Sequence, residues 1–113
     1  MKKFKILLLL TAITTLLFTG CGKNENELVM VTEAGFAPYE YYKDGKVVGV
    51  DIDIANEIAK ELGKKLVVKD IAFDSIINEL KSGKADFAAA GLSITEDRKK
   101  QVDFTIEYTT SNQ

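Results

Sequence analysis

The sequence predicts an α/β fold: a parallel-type sheet with flanking helices. Three observations predict it. Apolar runs of the buried-strand kind, at Leu28–Thr32, Lys65–Ile71 and Asp86–Ala90, alternate with stretches of helical period that begin near Asp51 and Asp74. Glycines stand where the helices should stop, at Gly63 and Gly83. The order strand, helix, strand, helix, strand implies parallel strands joined by right-handed crossovers.

The N-terminal twenty residues read as an address and not as part of this fold. Met1–Lys5 carries three lysines, and Ile6–Phe18 is a run of thirteen residues drawn only from Ile, Leu, Ala, Thr and Phe. A basic start, a short apolar stretch and small residues before a cut describe a secretory signal peptide over residues 1–20. The run is short for a bilayer's ~30 Å hydrocarbon core. Phe18-Thr19-Gly20-Cys21 resembles the lipobox of bacterial lipoproteins, with Phe18 where Leu is usual. Cys21, the only cysteine, would then be the lipid attachment point; a plain signal peptide with an incidental cysteine is the alternative. Residues 21–27 then form the lipidated Cys and a polar tether, Gly22–Glu27, with no apolar side chain.

Residues 28–113 are the folding part. Leu28–Thr32 is the first strand, and Glu33–Tyr39, with Gly35 and the only proline, is a loop. Tyr39–Val50 holds Asp44-Gly45 between β-prone flanks, a hairpin turn. From Asp51 the period turns helical, with Ile52, Ala55, Ile58, Ala59 and Leu62 on the inner face and Asp51 or Asp53 as cap. Lys65–Ile71 is the second strand. Asp74 or Ser75 caps a second helix to Lys81, with Ile76, Ile77 and Leu80 inward. Asp86–Ala90 is the third strand, and Thr95 caps a short helix with Glu96 and Asp97 in its first turn. Gln101–Tyr108 alternates apolar and polar and reads as extended.

Composition removes several chemistries. The 113 residues include no His, one Cys and one Arg, so a Ser-His-Asp triad, a Cys-His pair and a thiolate zinc cluster are excluded. No cofactor or metal is expected. The net charge is −2, and the three lysines before Gly20 leave with the signal, so the charge argues against nucleic acid as a partner.

In a parallel sheet, ligands bind beyond the carboxyl ends of the strands. Three loops are expected there: Glu33–Pro38, Asp70–Ser75 and Ala90–Arg98. Phe36 and Phe73 offer apolar faces, and Gly91 and Ser93 offer backbone groups and a hydroxyl. Arg98 can hold a carboxylate through two parallel hydrogen bonds, which none of the fourteen lysines can copy. Backbone N–H groups near Ser93 and Thr95 add donors for an anion. A carboxylate beside hydroxyl and carbonyl groups describes the α-carbon end of an amino acid.

Several segments, in order, resemble the family 3 extracellular solute-binding proteins, the amino-acid receptors of bacterial ABC importers. Gly49-Val50-Asp51-Ile52-Asp53-Ile54-Ala55 resembles a family motif that usually has an aromatic residue where Val50 stands. Phe73, Ile76 and Leu80 followed by Gly83-Lys84-Ala85-Asp86 resemble the next stretch. Ala90-Gly91-Leu92-Ser93-Ile94-Thr95-Glu96-Asp97-Arg98 resembles the binding loop, and Val102-Asp103-Phe104-Thr105 with Tyr108 resembles the segment before the hinge.

The resemblance implies a type II lobe of the periplasmic-binding-protein kind, with only the first, incomplete lobe present and the chain truncated near the hinge. It implies that Arg98 pairs with the ligand α-carboxylate and that the Ser93 N–H assists. The Ser93 hydroxyl and Gly91 carbonyl would accept from the α-ammonium. Phe36 and Phe73 would sandwich the ligand side chain, and Glu33 would touch its polar end, which suits a polar or basic L-amino acid. The protein would be exported, anchored by lipid to the outer face of the membrane and monomeric, and would deliver its ligand to an ABC permease by clamshell closure. A sensor input domain and an enzyme on this scaffold, dehydratase-like or fused to a peptidoglycan-cleaving domain, are the alternatives.

Each site residue also has a plainer reading. Arg98 could pair with Glu96 or Asp97 on the helix surface, Phe36 and Phe73 could be core, Gly91 and Ser93 ordinary turn residues, and Glu33 solvated. Asp51 and Asp53 suggest a catalytic carboxylate pair, but capping and structural roles explain them too.

Overall fold

The computed structural model describes residues 23–111. The signal peptide and the lipid attachment at Cys21 lie outside the described residues.

Two sheets form. The elements run β1 (Glu27–Thr32), β2 (Gly35–Phe36), β3 (Glu40–Lys43), β4 (Lys46–Val48), α1 (Val50–Glu61), β5 (Lys65–Asp70), a 3-10 turn (Phe73–Ser75), α2 (Ile76–Lys81), β6 (Phe87–Ala88) and α3 (Glu96–Lys99). The main sheet is parallel, in the order β5-β1-β6, with Val31 beside both Lys69 and Ala88. β2, β3 and β4 make a small antiparallel sheet. β2 was expected to be pure loop. Gly35 and Phe36 are drawn into pairing with Tyr41 and Glu40 because the chain doubles back at Pro38.

β1 is the centre of the molecule, and its period-2 alternation splits the core between two faces. Val29 and Val31 point into one cluster with Ile76 of α2, Ala85 and Ala90. Met30 points the other way, into a cluster with Ile52 and Ala55 of α1. A strand apolar on both faces must be covered on both, so α1 and α2 lie on opposite sides of the sheet. The Asp44-Gly45 turn behaves as the dipeptide predicts: both residues have positive φ, the geometry of a tight hairpin turn.

The helices depart from expectation in three ways. α1 buries Ile52, Ala55 and Ala59, but Ile58 (41% exposed) and Leu62 (56% exposed) lie off that stripe. With Val50 and Ile54 they form a second, exposed row at four-residue spacing. Neither Asp51 nor Asp53 caps α1. The capping position is Gly49, where a side chain would run into the Tyr39 and Pro38 carbonyls, and Asp51 is buried instead. Neither Asp74 nor Ser75 makes a side-chain cap, because Phe73–Ser75 forms a 3-10 turn that leads the chain into α2. Thr95 does cap α3, accepting from the Arg98 N–H at 3.2 Å. The third strand is shorter than predicted, and Asp103–Ser111 forms no strand. No helix among the described residues is long and apolar enough to cross a membrane.

Candidate functional site

Because β1, β5 and β6 are parallel, the loops after Thr32, Asp70 and Ala88 leave the same edge of the sheet. The candidate residues fall on those loops and meet in two groups.

The first group joins Phe36 and Gly91. Gly91 has φ +58, a backbone state that L side chains adopt only with strain, and a Cβ there would lie 2.7 Å from two carbons of the Phe36 ring. The ring therefore rests directly on the Gly91 backbone, in the space a side chain at position 91 would need. Tyr39 packs against the same ring, with centroids 5.2 Å apart and the planes tilted by 33°.

The second group joins Phe73, Ser93 and Arg98. The Arg98 guanidinium lies over the Phe73 ring, 5.4 Å from its centroid, and donates to the Ser93 carbonyl at 2.8 Å. Glu96 pairs with Lys99 and Asp97 with Lys100, each at 3.0 Å, so the acids beside Arg98 are engaged three residues on. Among the described residues Arg98 makes no ion pair. It is half-buried and braced by an aromatic face and a carbonyl, and its remaining N–H donors are uncommitted to any carboxylate. The surface salt-bridge reading of Arg98 is thus not what the structure contains. Glu33 is exposed on the loop between β1 and β2.

Two supports were missed at the sequence level. Asp70, at the end of β5, accepts from the Ala34 N–H at 2.8 Å and from the Tyr42 hydroxyl at 2.9 Å. It thereby fixes the loop that carries Glu33 and Phe36. The Tyr42 hydroxyl is held above its ordinary ionisation range by that hydrogen bond to Asp70. An acid at a strand's carboxyl end, just before a candidate loop, was the available signal. The second support is buried: Glu40 on β3 and Asp51 on α1, with the Tyr108 hydroxyl donating to Asp51 Oδ1 at 2.6 Å. A lone acid inside Tyr39-Glu40-Tyr41 was its only trace in the sequence.

A cavity of about 750 Å³ shares Phe36, Gly91 and Ser93 with these groups and runs beneath Val102–Ser111; Phe73 and Arg98 do not line it. Among the described residues no cluster of acids and thiols could hold a metal ion. The arrangement offers a fixed cation, two aromatic faces and exposed peptide groups. These suit a small zwitterion with a carboxylate.

The chain is 39% identical to the arginine-binding extracellular protein ArtP of Bacillus subtilis (strain 168), over 99% of this chain and 46% of the relative. It is 35% identical to a probable histidine-binding protein of Campylobacter jejuni, over 96% of this chain and 46% of the relative. It thus spans just under half the length of these curated relatives. Among solved structures, the arginine-bound form of domain 1 from TmArgBP superposes with a TM-score of 0.65 at 41% identity, covering 66% of this chain and 60% of that one. An ancestral cyclohexadienyl dehydratase superposes with a TM-score of 0.71 at 32% identity, covering 74% of this chain and 35% of that one. The profile of the bacterial extracellular solute-binding proteins, family 3, matches residues 28–113. The chain belongs to that family.

Proposed function

We propose that this chain supplies the first lobe, residues 28–113, of a substrate-binding protein that captures a polar or basic L-amino acid for an ABC importer. Arg98 receives the ligand α-carboxylate, with the Ser93 N–H beside it. The Ser93 hydroxyl and the Gly91 carbonyl accept from the α-ammonium, and Phe36 and Phe73 flank the side chain. Glu33 faces its distal end. The observation that carries this reading is Arg98 itself, stacked on Phe73, bound to the Ser93 carbonyl and without an ion pair among the described residues. A half-buried guanidinium held ready in this way is prepared for an incoming anion. The relatives' names, arginine-binding and histidine-binding, support a cationic or nitrogen-bearing side chain.

The protein is exported, its signal ends at Gly20, and Cys21 carries the lipid that holds it at the outer face of the membrane. It works as a monomer, closing on its ligand with a second lobe and presenting it to a permease. It binds and does not catalyse: Arg98, Ser93 and Gly91 hold charge and hydrogen bonds, and none supplies a proton-transfer pair.

Calorimetric titration with the twenty amino acids tests the reading. Arginine, or another polar or basic L-amino acid, should bind. Arg98→Ala should lose about 2–5 kcal/mol of that affinity, the usual result of removing one partner of a desolvated charge pair. Binding by Arg98→Ala within about threefold of the parent would overturn the carboxylate role.

A further inference from the structure

Two carboxyl groups lie inside this lobe with no ion-pair partner among the described residues. Glu40 is fully buried and Asp51 is 1% exposed. Tyr108 satisfies one oxygen of Asp51, at Oδ1. Three buried oxygens remain without a partner: Glu40 Oε1, Glu40 Oε2 and Asp51 Oδ2. Two ionised carboxylates would leave these acceptors unsatisfied, with two like charges out of water. One proton between them changes this. Glu40 becomes a donor, Asp51 Oδ2 an acceptor, and the pair keeps a single negative charge that Tyr108 stabilises.

The position of the pair connects it to the ligand loops. Glu40 Oε1 lies 3.9 Å from where a Cβ on Gly91 would be, immediately behind the contact between Gly91 and Phe36. Tyr108 belongs to the segment Asp103–Ser111, whose Thr109 also meets the Tyr39 hydroxyl at 3.0 Å. β3, α1, the Gly91 loop and this segment therefore converge on the two carboxyls. We propose that Glu40 and Asp51 share one proton and, with Tyr108, form a latch that holds the Phe36–Gly91 wall against the segment Asp103–Ser111. Glu40 and Asp51 are positioning residues in this device and do not touch ligand.

The protonation behaviour is consistent with the geometry. Burial first, then the neighbouring Asp51 carboxyl, which would take the other end of a shared proton and repels as a like charge, then the charge of Glu33, raise the Glu40 carboxyl to about 9. The groups that face it are Asp51 from α1 and Glu33 from the loop after β1, with Tyr108 and Tyr39 beyond Asp51. Burial, then the Asp51 bond, also holds the Tyr108 hydroxyl protonated well above its ordinary range. A carboxyl raised in the folded state keeps a proton that the unfolded chain releases above about 4.5. Its contribution to stability is complete below that pH, and is lost as pH rises to about 9. Over that interval the folding constant falls up to about tenfold per pH unit.

Denaturant unfolding across that interval tests the latch, with Glu40→Gln as the decisive variant. An amide donates to Asp51 at every pH, so Glu40→Gln should remove the slope and remain folded at alkaline pH. A slope in Glu40→Gln equal to that of the parent would overturn the proposal. Carbon NMR of the parent protein, labelled at its glutamate carboxyls, reads the same group with no substitution. One glutamate should titrate near pH 9, and titration of every glutamate in the ordinary range would overturn it. Neither readout needs a ligand. A failed latch would leave binding through Arg98 intact, and a failed amino-acid reading would leave the titration in place.

Discussion

Replacing Gly91 with alanine should be far more damaging than an added methyl group suggests. The left-handed backbone at φ +58 costs an L residue about 1–2 kcal/mol. The new Cβ would also sit 2.7 Å from two Phe36 ring carbons, where contact normally begins near ~3.5 Å. The ring must retreat by about 1 Å, and its packing on Tyr39, a pair of the kind worth roughly 0.5–1.5 kcal/mol, is disturbed. The sum is about 2–3 kcal/mol. In a lobe of this size that lowers Tm by roughly 10–20 °C. Gly63→Ala is the control, since Gly63 has φ +65 but nothing within 4 Å of its would-be Cβ. It should lose only the backbone part. Thermal unfolding followed by circular dichroism, in the parent and in a Phe36→Ala background, separates the two contributions. Gly91→Ala should exceed Gly63→Ala in the parent, and the excess should vanish once the ring is gone. An equal loss at both glycines, or an excess that survives Phe36→Ala, would refute the contact argument.

Three further outcomes are expected. Thr95→Ala removes the acceptor for the Arg98 N–H and should destabilise α3 by about 1 kcal/mol, seen as faster amide hydrogen exchange at Arg98 and Lys99 with little change in global stability. Asp70→Ala should lower the ionisation of Tyr42 toward that of free tyrosine, read by ultraviolet absorbance against pH, since the hydrogen bond to Asp70 is the main cause of its elevation. Burial pushes the Asp86 carboxyl up, but the Lys23 ammonium and the Val29 N–H outweigh it and leave the group below its ordinary range. The stability it supplies is present above about 3.8 and is lost as pH falls further, so Asp86→Asn should flatten the acid limb of unfolding, measured in urea.

The parallel sheet and its crossovers were legible because β1 carries an unbroken apolar run and α1 and α2 each end at a glycine of positive φ, Gly63 and Gly83. Arg98 was legible because it is unique in the chain. That Arg98 makes no ion pair among the described residues was not read there, since pairing with Glu96 or Asp97 stayed open until the structure showed those acids engaged by Lys99 and Lys100. Other features depend on approaches between distant parts of the chain, which no local pattern records. Gly91 meets Phe36 only after three strands have aligned. Asp51 looks like a helix cap in sequence because it begins a helical period. It is buried because the β2–β3–β4 sheet folds over the start of α1, bringing Glu40 against it. Ile58 and Leu62 share the apolar character of the inner face but lie off it, since small residues at Ala55 and Ala59 let the helix sit close along a narrow stripe.

The placement of β1 between β5 and β6 also governs the order of events at synthesis. β1 precedes both of its neighbours along the chain, and its partners at Val31 are Lys69 and Ala88. When β1 leaves the ribosome, neither edge of its backbone has anything to pair with, and its two apolar faces wait for helices not yet made. Local contacts cannot close this sheet; chain through Ala88 must be available first, and such long-range pairing is slow. The sheet therefore cannot be completed until most of the lobe has been translated. If the chain is exported as proposed, and so must cross a membrane before folding, it gains a margin of time from that delay.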